Sequence, residues 1–214
     1  PMTQQAIYEP MLVFNPADNS TTPWLATAWT VAKDGKGIDF TVRDGVKWSD
    51  GQPMTAEDVV FTFELQKKLL GGFEYIDAVT LKDPSTVSFT FNKPFSPGLY
   101  EIGQQVIVPK HIWAGIKDAA KETNAKPVGT GPYKFADFKP GDLVRGEINT
   151  AYHRENRPYF DSIEMKGGGD AISAARAVIQ TGEYDYAWNM QVEDEILQRL
   201  EKGGLEKSLA YWRE

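Results

Sequence analysis

The sequence predicts a mixed α/β fold, with a strand-rich first half and a second half in which strands and helices alternate. Apolar residues alternate with polar ones at 38–42 and 87–91, which is the pattern of half-buried strands. One prominent helix follows Thr55. The 214 residues suffice for one large domain or two small ones with real cores.

The first elements are predicted to be strands. Residues 6–14, AIYEPMLVF, read as a short buried strand that Asn15 and Pro16 terminate. The segment 23–31, PWLATAWTV, follows and carries two tryptophans. After a KDGKG turn, the alternating stretch 38–42 supplies the next strand.

A turn and a capped helix come next. Gly51 and Pro53 lie in the turn, because Gly can adopt a positive φ and Pro fixes φ. Thr55 stands at the N-cap with Asp58 three residues on, which is close to a capping box. The helix is predicted to share an apolar stripe among Val59, Phe63 and Leu70, and to end before Gly71.

The second half contains the alternation of helices and strands. A short helical stretch is predicted from residue 108 to about 124, before a glycine-rich turn, PVGTGPY, at 127–133. The remaining elements are strands at 133–138, 142–149 and 161–166, a helix stopped by Gly182 and followed by a strand, and a final helix with Val192, Ile196 and Leu200 at helical spacing.

Composition argues against several classes of function. Lys and Arg number 23 against 30 for Asp and Glu, and a net charge of −7 argues against a nucleic-acid partner, which requires a basic surface. The absence of cysteine removes disulfides, thiolate nucleophiles and zinc–thiolate sites. No uninterrupted apolar window approaches the roughly 18 residues of a transmembrane helix.

No arrangement typical of an enzyme stands out. His111 and His153 are far apart, and neither has a metal-like spacing to a second ligand. Two pairs of adjacent acids, at 57–58 and 193–194, lie in first turns of predicted helices, where they favour the helix dipole. The sequence therefore predicts no catalytic residue, no metal site and no cofactor.

The stretch RDGVKWSDGQPMTAEDVVFTF, residues 43–63, resembles the signature of the family 5 extracellular solute-binding proteins, which are receptors of ABC importers. Further stretches resemble the same family in the same order, namely IYEPMLVFNP with PWLATAWTV, VPKHIW, GTGPYKFADFKPGD, NTAYHRENRPYFDSIEMK and ARAVIQTGEYDYAWNMQ. The pair Tyr152–His153 departs from the family, which usually has Tyr–Trp there.

The resemblance implies a periplasmic-binding-protein-like fold of type II, cluster C, which is a two-lobed clamshell with an extra subdomain on its first lobe. Residues 1–108 are expected to form the strand-rich extra subdomain with the start of the first lobe. Residues 109–214 are expected to form the α/β part of that lobe, up to the hinge. The second lobe is then absent, so an N-terminal fragment is expected.

The resemblance also implies a function and partners. The expected function is to capture oligopeptides between two lobes and deliver them to the permease subunits of an ABC transporter. Two alternatives stay open, an oligosaccharide receptor of the same family and a non-transport sensor or interaction module. The expected partners are a peptide or oligosaccharide, the permease and the missing C-terminal half. The expected location is periplasmic or lipid-anchored extracellular.

Candidate ligand-binding residues follow from the resemblance. The strand after the "sGeiD" helix delivers side chains to the cleft of the family, which places Trp188, Asn189, Met190 and Gln191 there. Trp188 could stack on a sugar or an apolar side chain, and the amides could form hydrogen bonds. The alternative is that Trp188 lies in the core and Asn189 caps the next helix.

Three further candidates lie earlier in the chain. Tyr8 and Glu9 belong to the segment nearest the cleft entrance of the family. Thr130 lies in the turn at 129–132, which sits at the inner edge of the family's lobe. That turn lacks the lysine and the spacing of a phosphate-binding loop, and a purely structural turn is the alternative.

Overall fold

The computed structural model describes residues 6–139, 142–167, 169–179 and 181–187, together with Asp194, Glu195, Gln198 and Lys202. The chain divides into two compact units, Pro1–Met165 and Lys166–Glu214. The domain boundary expected at residue 108 stays a prediction.

The first unit begins with a two-stranded antiparallel sheet of β1 (Leu12–Asn15) and β2 (Ser20–Pro23). The single strand predicted at 6–14 is therefore wrong for most of its length, since Ala6 and Ile7 are helical. Pro10 explains part of the difference, because its ring nitrogen has no hydrogen to donate and it forms only an isolated bridge. The apolar character of this run reflects burial without a strand.

A four-stranded antiparallel sheet follows, in the order β3-β4-β6-β5. Its strands are β3 (Ala26–Val31), β4 (Gly37–Val42), β5 (Ile76–Asp83) and β6 (Thr86–Phe91). The predicted alternation is confirmed, because every second residue of β4 and β6 is buried, namely Ile38, Phe40, Val42, Val87, Phe89 and Phe91. The central pair β4–β6 has an unbroken register, whereas the pairings of the two outer strands, β3 and β5, contain register shifts.

The predicted turn and helix are both confirmed. Gly51 has a φ of 89°, and α1 spans Ala56–Leu70. The backbone N–H of Thr55 donates to Oδ2 of Asp58 at 2.8 Å, which is the return bond of a capping box. Gly71, with a φ of 65°, follows the last turn.

The apolar stripe of α1 is shorter than predicted. The buried residues of the helix all lie between Ala56 and Phe63, where it packs on β5 and β6. Leu70 is 81% exposed, so its predicted place in the stripe is wrong. The helix leaves the core before its last turn, and helical spacing alone cannot reveal where the supporting sheet ends.

Aromatic residues fill the core between α1 and the sheet. Trp48, Phe40, Phe63 and Phe89 are fully buried. The ring of Phe89 meets those of Phe63 and Phe40 edge-on, with centroids 4.8 and 5.6 Å away. Such edge-to-face contacts add about 1 kcal/mol each to the burial of apolar area.

Short helices connect the first core to the second sheet. They are α2 (Gly98–Gly103), α3 (Lys110–Trp113) and a 3₁₀ turn at Ala119–Lys121. The continuous helical stretch predicted to residue 124 is therefore wrong. Gly115 follows the C-cap residue of α3, Ala114, and glycine in a helix costs about 1 kcal/mol relative to alanine.

The buried Asp58 joins this connection to α1. Its Oδ1 accepts the backbone N–H of Lys110 at 2.8 Å. Thr62, one turn later on α1, accepts the N–H of Val108 on its hydroxyl at 3.1 Å. The start of α1 thereby fixes the path of residues 108–110.

A three-stranded sheet in the order β7-β8-β9 confirms the next predicted strands. These are β7 (Tyr133–Lys139), β8 (Leu143–Ile148) and β9 (Ser162–Lys166). Ala6, Ile7, Tyr8 and Tyr133 form a second buried cluster, against which Phe135 and Ile163 pack.

The second unit contains α4 (Ala171–Ile179). Asp170 caps it, since its Oδ1 accepts the N–H of Ser173 at 2.8 Å, and Gly182 has a φ of 65° at the predicted stop. The strand predicted next is absent from residues 183–187, which have no strand partner among the described residues. The final helix predicted around Val192, Ile196 and Leu200 lies outside the described residues. None of the described helices is long and apolar enough to cross a membrane.

Truncation of the central aromatic residue tests the core. We expect Phe89→Ala to lower the free energy of unfolding by about 3–5 kcal/mol, because it removes two ring contacts and leaves a cavity. The matched control, Leu70→Ala, should change it by less than about 0.5 kcal/mol, since Leu70 is exposed. Urea unfolding measures both, and comparable losses in the two variants would contradict this description of the core.

Candidate functional site

The carboxylate of Glu9 is buried and surrounded by hydrogen-bond donors. Its Oε1 accepts the indole Nε1–H of Trp24 at 2.6 Å and the hydroxyl of Tyr152 at 2.9 Å. Nε2 of His153 lies 3.0 Å from Oε2 and 3.2 Å from Oε1. A carboxylate only accepts, so we assign the proton of this bond to Nε2. Glu9, Trp24, Tyr152 and His153 are called the Glu9 cluster below.

The hydrogen bonds of Glu9 are important for stability because its carboxylate is buried. The side chains of Glu9 and His153 are only 2% and 6% exposed. A carboxylate removed from water costs several kcal/mol unless donors replace its hydration, and the cluster supplies three. The guanidinium of Arg154, 4.1 Å from the centre of the Trp24 ring, adds a positive charge at the edge. Both carboxylate oxygens of Glu9 therefore have hydrogen-bond partners within the protein, and the cluster holds distant segments of the chain together.

Burial also shifts the ionisation of the tyrosines here. The pKa of Tyr152 is raised well above its ordinary value, first by burial and then by the charge and hydrogen bond of Glu9. The pKa of Tyr8 is also raised by burial, although the amide of Asn124, which donates to its hydroxyl at 2.9 Å, acts in the opposite direction. Both hydroxyls therefore stay protonated at neutral pH.

The turn around Thr130 packs backbone against backbone. Gly131 donates its N–H to the carbonyl of Ile7 at 2.8 Å, and Gly129 accepts the N–H of Ser49 at 2.9 Å. A Cβ on Gly129 would lie 1.8 Å from the carbonyl oxygen of Ile7. The glycines are thus needed for this contact. The amide of Asn149 closes the turn by donating to the carbonyl of Gly131 at 2.9 Å.

Thr130 itself is 1% exposed, and its hydroxyl has no hydrogen-bond partner among the described residues. Nδ1 of His153 is another buried atom without one. The Gly131–Ile7 bond brings the turn at 129–131 beside the segment that carries Tyr8 and Glu9. That Tyr8, Glu9 and Thr130 contact a ligand stays a prediction.

The other predicted site residues, Trp188, Asn189, Met190 and Gln191, lie outside the described residues. Three members of the Glu9 cluster were not predicted as site residues, namely Trp24, Tyr152 and His153. The departure from Tyr–Trp at 152–153 was the available signal, because a histidine there needs a polar partner when buried. Among the described residues, no group of three or more His, Cys, Asp or Glu side chains could hold a metal ion.

A substitution in the turn tests the backbone contact. We expect Gly129→Ala to lower the free energy of unfolding by about 3 kcal/mol, because the new methyl group would overlap the Ile7 carbonyl. The control is Gly115→Ala, whose Cβ would meet its nearest atom at an ordinary 3.8 Å. That variant should be neutral or more stable by about 0.5 kcal/mol. Equal stability of the two variants in thermal and urea unfolding would refute the contact.

The buried Tyr152 predicts an alkaline effect. The raised pKa means that the folded protein retains the Tyr152 proton above pH 10. The unfolded chain releases this proton near pH 10, the ordinary pKa of a tyrosine. The unfolded state then binds fewer protons, so stability falls as pH rises above 10. We expect Tyr152→Phe to lose part of this slope in unfolding experiments on both sides of that pH, while Tyr159→Phe, at an exposed site, keeps it. An unchanged slope in Tyr152→Phe would argue against this assignment.

Comparison with known proteins places this geometry in context. The family model described as "Bacterial extracellular solute-binding proteins, family 5 Middle" matches residues 20–211. The chain is similar to the "Oligopeptide-binding protein AppA" of Bacillus subtilis, with 33% identity over 163 residues. That match covers 71% of this chain and 30% of the relative. The chain thus spans about a third of the length of this curated relative.

Two solved structures extend the similarity to the fold. The Bacillus subtilis AppA in complex with a nonapeptide matches with a TM-score of 0.75 and 29% identity, covering 85% of this chain and 38% of that one. A mannohexaose-bound oligopeptide-binding protein from Thermotoga maritima matches with a TM-score of 0.79 and 26% identity, covering 94% and 38%. The mixed α/β fold therefore matches both structures over part of their length.

Proposed function

Because this chain belongs to the family 5 bacterial extracellular solute-binding proteins, which are non-enzymatic components of ABC importers, we propose that it forms part of an oligopeptide receptor. The observation that supports the peptide ligand is the 33% identity with an oligopeptide-binding protein. The receptor captures its ligand in a cleft between two lobes and delivers it to the permease. It acts in the periplasm or on a lipid anchor at the cell surface.

The proposal assigns parts of the receptor to parts of the chain. Residues 1–108 are the extra subdomain with the start of the first lobe, and 109–214 continue that lobe to the hinge. The second lobe comes from the remainder of the protein. The Glu9 cluster crosses the proposed boundary, because it ties the first residues of the chain to the loop after β8.

An oligosaccharide ligand is the second candidate. The Thermotoga maritima protein, with a TM-score of 0.79, is bound to mannohexaose. A flat aromatic side chain such as Trp188 suits either ligand, since it can stack on a sugar face or pack on an apolar side chain. Peptide remains our proposal, because the relative with the higher identity is a peptide-binding protein.

Binding measurements on the full-length receptor distinguish the two ligands. We expect native mass spectrometry to show a mixed-peptide adduct, and calorimetry to show binding of a nonapeptide but not of mannohexaose. We also expect Trp188→Ala to weaken peptide binding by roughly tenfold or more without unfolding the protein. Trp29→Ala, in a strand of the four-stranded sheet, is the matched control and should bind normally.

Each result has a clear reading. Binding of mannohexaose without peptide binding would replace the peptide proposal by the oligosaccharide one. Unchanged peptide affinity in a folded Trp188→Ala variant would remove Trp188 from the site and return it to the core.

A further inference from the structure

A pocket of about 460 Å³ opens on the first unit, where the chain enters β5 and leaves β6. It is lined by Phe73, Glu74, Tyr75, Asn92, Lys93, Phe95 and Glu101. Its volume lies in the range of small-molecule sites. Neither the Glu9 cluster nor the predicted cleft residues contribute to it.

The wall of the pocket is held by contacts within the protein. Tyr75 is 8% exposed, and its ring stacks on Phe95 with centroids 3.9 Å apart and planes 26° from parallel. Phe91 meets the same ring edge-on at 5.3 Å. The amide of Asn92 donates to the carbonyl of Glu74 at 2.6 Å, and its backbone N–H donates to the carbonyl of Tyr75 at 3.0 Å. The pocket therefore needs no ligand to take its shape, which lowers the cost of binding.

The charged groups of the pocket form no ion pair with one another or with other described residues. Glu74 and Glu101 bring two carboxylates and Lys93 brings one ammonium, so the pocket carries one net negative charge. Within the described part of the chain, none of these three takes part in an ion pair. This is the opposite of Glu9, whose oxygens are all engaged.

The hydroxyl of Tyr75 supplies a separate indication. It is buried, and within the described residues no hydrogen bond of good geometry reaches it. Burial raises the pKa of this hydroxyl, and so do the charge of the Glu101 carboxylate and its action as a nearby hydrogen-bond acceptor, so the hydroxyl stays neutral. Its lone pairs are free to accept an N–H from a bound group.

We propose that this pocket binds the guanidinium group of an arginine-like ligand. A planar guanidinium can lie against the half-buried rings of Phe73 and Phe95 through cation–π contact. Its five N–H donors suit the carboxylate of Glu101 and the Tyr75 oxygen together, and a carboxylate can take two of them. An anionic ligand would be repelled by the net negative charge of the pocket, and a neutral ligand would gain no charge attraction from it.

Binding is tested on the 214-residue chain with N-acetyl-arginine amide as the probe. The matched control ligand is N-acetyl-citrulline amide, which has nearly the same shape but no charge. We expect the arginine probe to cause saturable shifts in ¹H–¹⁵N spectra at 73–75, 92–95 and 98–103, with a dissociation constant on the order of 1 mM. The citrulline probe should cause none, at equal ionic strength.

Three variants, each of which removes one charge, make the test specific. Glu101→Gln should weaken binding roughly tenfold, because it removes the charged acceptor. Lys93→Gln should strengthen it about threefold, because it removes the competing cation. Glu155→Gln, at an exposed carboxylate outside the pocket, is the control and should leave affinity unchanged.

Opposite effects of Glu101→Gln and Lys93→Gln with a silent Glu155→Gln would support the proposal. It is overturned if the arginine probe gives no saturable shifts, if citrulline binds equally, or if Glu155→Gln weakens binding as much as Glu101→Gln does. The test is independent of the cleft, because the last residue that lines the pocket is Glu101 and none of the predicted cleft residues lines it. Its failure therefore leaves the proposed peptide receptor untouched, and the reverse also holds.

Discussion

The buried carboxylate of Glu9 draws together segments that lie 15 and 143 residues apart in the sequence. Because a buried carboxylate is stable only while its donors surround it, Trp24, Tyr152 and His153 must hold their places together. The glycine turn at 129–131 completes the arrangement by fixing the backbone just before Glu9. The order of the first unit thus depends on one polar centre beside its second apolar cluster.

Carboxylates in this protein differ in how many hydrogen-bond or ion-pair partners they have within the protein. This difference distinguishes the structural carboxylates from those of the proposed ligand site. Asp58 accepts backbone N–H groups on both oxygens and directs the chain from α1 to residue 110. Glu9 is engaged in the same complete way. Glu74 and Glu101, in contrast, face a pocket without an internal cation paired to either. A carboxylate that lies on a rigid wall without an internal cation can pair with the cation of a ligand.

Local patterns predicted the elements whose cause is local. The alternation in β4 and β6 and the cap at Thr55 follow from two-residue periodicity and from a four-residue motif. The failures have non-local causes. Residues 6–8 are buried beside the turn at 129–131 without pairing as a strand, and the exposure of Leu70 depends on where the sheet ends. A family resemblance pointed to Glu9, but no sequence pattern links it to donors 143 residues away.

The register shifts of the four-stranded sheet occur only in the pairings of its two outer strands. An outer strand presents unpaired N–H and carbonyl groups, and a regular one can be extended by a strand of another molecule. Irregular backbone at Ala26–Ala28, Ile76–Ala78 and Leu81–Asp83 interrupts the spacing that such an addition requires. The sheet is therefore protected against edge-to-edge aggregation on both sides, while its central pair keeps an unbroken ladder.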